Sequence, residues 1–143
     1  MTTGEPGTRR SVAPAVVALI VLAGVALWLF WPRAAAGPVT LHGGTAGHRV
    51  ELTVHRPRTG AGPVTVRVTD VHGRPAGLRK VTVEPVMQSM GHAAPAAQAA
   101  GTGPGSYRAE SVSLFMRGYW EFTVVLQGAT GADRVVFPLL ITG

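Results

Sequence analysis

The sequence contains no cysteine. That excludes disulfides, thiolate zinc centres, iron–sulfur clusters and a cysteine nucleophile. Charge is scarce too, with only 14% of residues charged and seven acidic side chains in the whole chain. Asp70 and Asp133 are the only aspartates. No G-x-S-x-G elbow, H-E-x-x-H pair or glycine-rich phosphate loop occurs, and the expectation is a protein that is not an enzyme. The net charge of +6 comes from arginines scattered singly, without a basic stripe or interleaved aromatics. Nucleic acid is therefore not an expected partner.

What is present is apolar and unevenly spread. Residues 12–31 read VAPAVVALIVLAGVALWLFW, without a charge. A helix of that length rises about 30 Å, the thickness of a bilayer's hydrocarbon core. Trp28 and Trp31 stand at one end, as interfacial anchors do, and Arg9 and Arg10 precede the run while Arg33 follows it. The sequence thus leads to a single-pass anchor in the cell membrane over 12–31. A cytoplasmic tail over 1–11 precedes it, a linker over 32–46 follows, and an extracytoplasmic domain occupies 47–143. A cleaved signal peptide ending at Ala34, Ala35 and Ala36 is the rival reading.

Beyond the run the period changes to two. Val50, Leu52 and Val54 alternate with polar residues, as do Val64, Val66 and Val68, then Val81 and Val83. Trp120, Phe122, Val124 and Leu126 share a later face. Such alternation marks strands with one buried side. Glycine and proline turns separate the runs, so the expected fold is all-β, an immunoglobulin-like sandwich of about seven short strands. Residues 87–103 break the pattern with six alanines and read as a long loop. Tyr107 is expected to face inward with Ala109. Tyr119 points the other way and is the better candidate for partner contact.

Met87, Met90 and His92 fall within one short stretch. Thioether sulfur is a soft donor that suits Cu(I), and imidazole suits either copper state. Met87 and Met116 equally suit irregular gaps at the ends of a core. His42, His48, His55 and His72 are dispersed and read as solvated surface residues.

Four short motifs point to a family. M-x-x-M-G-H at Met87, Met90, Gly91 and His92 is followed by G-x-G-x-Y at Gly103, Gly105 and Tyr107. L-x-M-x-G-x-W then covers Leu114, Met116, Gly118 and Trp120, and D-x-x-G-x-P stands earlier at Asp70, Gly73 and Pro75. Over 47–141 the chain resembles the YtkA-like domain, which is related in pattern to FixH-like membrane proteins. The resemblance implies an extracytoplasmic immunoglobulin-like module, a link to copper handling, and a copper transporter or oxidase subunit as partner. It adds Met116 to Met87, Met90 and His92 as a fourth expected copper ligand. The other function that the sequence allows is a metal-free structural or interaction module docking on a membrane complex.

Overall fold

The computed structural model describes residues 13–30 and 37–142, with side chains from Val16 onward in the first stretch. Two units divide the chain, Met1–Ala34 and Ala35–Gly143.

In the first unit, α1 (Ala13–Phe30) is an 18-residue helix. Its apolar side chains run round the whole circumference, so it has no polar face. The single-pass anchor that the sequence leads to is corrected here, and the cell-membrane placement of the protein with it. Among the described residues no helix is long and apolar enough to cross a membrane. The helix rises about 27 Å over its 18 residues. Val12 and Trp31, the ends of the expected span, lie outside the described residues. So do the tail 1–11, Arg33 and the alternative cleavage site at Ala34, Ala35 and Ala36.

Among the described residues, the second unit is a sheet of nine antiparallel strands. They are β1 (Val39–Gly44), β2 (His48–Val54), β3 (Gly60–Asp70), β4 (Lys80–Met87), β5 (His92–Ala93), β6 (Ala97–Gly103), β7 (Ser106–Leu114), β8 (Gly118–Gln127) and β9 (Ala132–Ile141). A one-turn 3₁₀ helix, Gln88–Met90, follows β4. The strand order is β1-β2-β3-β7-β6-β4-β8-β9, with the short β5 against β4. The two ends of this path, β1 and β9, come back together. A β-carbon on Gly43 would stand 2.9 Å from Phe137 and from Val135, so only glycine lets β1 lie this close to β9.

This is a nearly closed, barrel-like sheet, and the expected two-sheet sandwich is corrected. The cause lies in residues 87–103, which form β5 and β6 instead of a loop. Ala97, Gln98 and Ala99 pair with β4. Ala100, Gly101 and Gly103 then pair with β7. One strand of small residues thus leaves one neighbour for another and joins what would be two sheets. Alanine and glycine have little intrinsic strand preference, which hides this strand from pattern reading. Its backbone ladder and one buried methyl group, Ala99, compensate.

The core is built from the alternating residues. Val50, Leu52, Val54, Val64, Val66, Val68, Val81 and Val83 are all buried, as are Trp120, Phe122, Val124 and Leu126. Two polar atoms that must enter with aromatic rings find partners. The Trp120 Nε1–H donates to the Met116 carbonyl at 3.0 Å. The Tyr107 hydroxyl donates to the Ala76 carbonyl at 3.0 Å. It also accepts from the Leu78 N–H at 2.8 Å. Tyr107 thereby ties β7 to the segment ahead of β4.

Candidate functional site

The strand period that fills the core also sets the outside of the barrel, and its two walls differ in chemistry. On β1, β2, β3 and β7 the outward positions are polar. Thr40, Thr53, Thr65 and Arg108 stand in one row across the four strands. His42, Glu51, Arg67 and Ser106 form the next. Neighbours on this wall satisfy one another: Thr40 and Thr53 hydroxyls at 3.0 Å, His55 and Thr65 at 2.8 Å, Arg108 and Glu110 at 2.9 Å.

The wall made by β4, β8 and β9 is greasier. Three rows cross it: Thr82–Val125–Arg134, Glu84–Thr123–Val136 and Val86–Glu121–Pro138. Beyond them Tyr119 pairs with Leu140. Tyr119 is 69% exposed, Val136 52% and Leu140 47%. Phe115 in the β7–β8 turn and Met90 in the 3₁₀ turn are exposed as well, next to the β8 end that carries Tyr119. Alternation on β9 fails here in an informative way. Val136, Pro138 and Leu140 are apolar at positions that face water, whereas a solvated strand face is ordinarily polar. Pro138 suits a strand at the end of the sheet path, since it has no N–H to leave unpaired.

The four residues expected to bind copper lie near one end of the barrel but do not share an environment. Met87 ends β4 and is 2% exposed. Its Cε would sit 3.1 Å from a β-carbon on Gly118, which places the thioether inside the core end. Met116 is half-buried and packs on the same core. Met90 and His92 are exposed. Methionine as a gap filler describes the first two better than methionine as a ligand. Among the described residues no group of three or more His, Cys, Asp or Glu side chains could hold a metal ion. With no such group, and with the Met87 sulfur buried in the core while Met90 and His92 are exposed, the metal-binding and copper description drawn from the sequence is corrected.

The dispersed histidines hold one residue that sequence reasoning passes over. His48 is not a solvated surface side chain: it is only 27% exposed, and its Nδ1 stands 2.8 Å from the Asp133 carboxylate. The Thr45 hydroxyl donates to the same oxygen at 3.0 Å. This contact joins the β1–β2 turn to the start of β9, across the place where the sheet path does not pair. A cavity of about 280 Å³ lies beside it, lined by His48, Asp133, Leu126, Thr130 and the glycines of the β8–β9 turn. His48 and Asp133 are 85 residues apart, so no local spacing announces the pair.

Hydrogen bonds from His48, then from Thr45, hold the Asp133 carboxyl below its ordinary value, against a smaller desolvation effect. A carboxylate with a depressed folded pKa stabilises above its unfolded pKa, and loses that contribution as pH falls through the folded one. Asp133→Ala is therefore expected to lower the melting temperature at pH 7, with the gap to the parent protein shrinking below about pH 4. Thermal melts of both proteins from pH 7 to pH 3 check this. Asp70, also depressed, chiefly by the Arg74 N–H, is common to both proteins and cancels in the comparison.

No family model matches the sequence. No curated protein matches it. A crystal structure of an engineered protein is similar at 22% identity with a TM-score of 0.45, over 77% of this chain and 21% of that one. The chain thus spans about a fifth of the length of that structure. At that level the likeness carries no argument about function, and the YtkA-like resemblance rests on its short motifs alone. The chemistry of the two walls is the stronger guide.

Proposed function

We propose that the barrel is a metal-free interaction module that meets a protein partner through the outer wall of β4, β8 and β9. The observation that carries this reading is the contrast between the walls. One is threonine, arginine and paired charge. The other exposes Tyr119, Val136, Pro138 and Leu140 in adjoining rows. Contiguous apolar surface on a folded domain is characteristic of contact sites. Tyrosine, phenylalanine, methionine and arginine are the residues that contact sites favour. Tyr119, Phe115 and Met90 supply the first three, and Arg134 stands at the end of the same wall.

A photo-crosslinking amino acid placed in turn at both walls tests this in the producing cells. Protein adducts are expected from positions 119, 136 and 140, and not from 53, 65 and 67. Equal yields from both walls, or adducts from the threonine wall alone, would refute the reading.

A further inference from the structure

The charges on the greasy wall are placed in a way that a solvated face has no need of. Arg134 stands in the row of Val125, and Glu121 in the row of Pro138. Between those rows lies Thr123 beside Val136. The cation and the carboxylate are therefore one row to either side of Thr123 and Val136, in a row whose one charge, Glu84, stands out on β4. Arg134 makes no salt bridge among the described residues, and Glu121 is held only by the Gln88 amide, at 3.0 Å.

We infer that the partner is a second copy of this chain, docked on the same wall about a two-fold axis that crosses the strands at the Thr123–Val136 row. The inference rests on the interaction reading above and names its occupant. A two-fold contact is isologous: whatever residue i meets, its partner meets in return. An axis through the central row exchanges the rows on either side of it. The Arg134 row of one copy then lies over the Glu121 row of the other, and the same pair forms twice. Val136 meets its own counterpart, and Pro138 comes over the row of Val125 and Arg134. An axis one row further along would set Glu121 against itself, where like charges repel. The outward face of a barrel is convex, so contact centres on β8 and β9. Glu84, out on β4, falls at the rim, where solvent screens it from its copy.

The natural absence of cysteine makes the geometry directly testable in the full chain. Val136→Cys should yield a covalent dimer with a short bismaleimide, whose arm spans the roughly 10 Å between packed sheet faces. Thr65→Cys, on the opposite wall, should stay monomeric. Linkage at Thr65→Cys as efficient as at Val136→Cys would overturn the inference. Charge reversal is the second arm. Arg134→Glu and Glu121→Arg should each lower the trapped yield of Val136→Cys at least tenfold, and the two together should restore it. Both reversed sites are exposed or half-exposed, so the variants should fold. No rescue by the double reversal would also overturn the pairing. If Val136→Cys gives no dimer while position 119 still crosslinks to a different protein, the second copy is refuted and the wall stands. If neither forms, both readings fall.

Discussion

Trp120→Ala is expected to destabilise the barrel by about 3–5 kcal/mol, the range for deleting a large buried aromatic. Trp120 is fully buried on β8, a strand paired on both sides, with β4 and with β9. Its truncation removes the largest fully buried side chain. Around the resulting void, neighbouring strands are fixed by their ladders and can collapse only partly. The change also orphans the Met116 carbonyl, which now accepts the indole N–H. Small domains have roughly 5–15 kcal/mol in all, so the variant should sit near the edge of folding. Urea melts followed by tryptophan fluorescence, with Trp28 and Trp31 replaced by phenylalanine to leave Trp120 as reporter, calibrate the parent; circular dichroism then measures the variant. Trp120→Phe separates the two causes, because it keeps much of the volume and loses the hydrogen bond. A loss below about 1 kcal/mol for Trp120→Ala would mean the ring is not packed as described.

Gly105→Ala is the second large effect, and it acts through the backbone. Gly105 turns the chain from β6 into β7 at φ +64°. A β-carbon there would lie 2.5 Å from the Val68 carbonyl oxygen and 3.0 Å from Pro75. Neither neighbour is a flexible side-chain tip, so the strands must shift. The left-handed conformation adds roughly 1–2 kcal/mol for a residue with a side chain, and forced overpacking about 1–3 kcal/mol. The Gly105 carbonyl also accepts the Val68 N–H at 2.7 Å, a link between β3 and this turn that a shift would stretch. A combined loss of about 3 kcal/mol is expected from chemical denaturation. Gly101→Ala, where the added carbon meets nothing within 4 Å, is the matched control.

Much of the strand content was legible because it rests on a two-residue period. Val50 through Val54, Val64 through Val68, and Trp120 through Leu126 bury the residues their alternation assigns to the core. The inward Tyr107 and the outward Tyr119 follow from the same rule. Sheet closure was not legible, because it depends on β6, whose alanines and glycines carry no hydrophobic signal. In this strand small side chains stand where the neighbour changes, and small side chains look like a loop. The methionine cluster misled for a related reason. Spacing places Met87 beside Met90 and His92, but the pleat turns Met87 inward, where its sulfur fills the barrel end. The His48–Asp133 contact depends on the ends of the sheet returning to each other, which no local pattern encodes. The apolar run at 12–31 is plain in the sequence, while the helix described within it falls short of a span.

The most direct test of the two-walled account is one comparison, Tyr119 against Thr65, each replaced by a photo-crosslinking residue in the full chain within its own cells. A discrete protein adduct is expected from position 119 and none from 65. Adducts of equal yield at both positions, or at 65 alone, would contradict it.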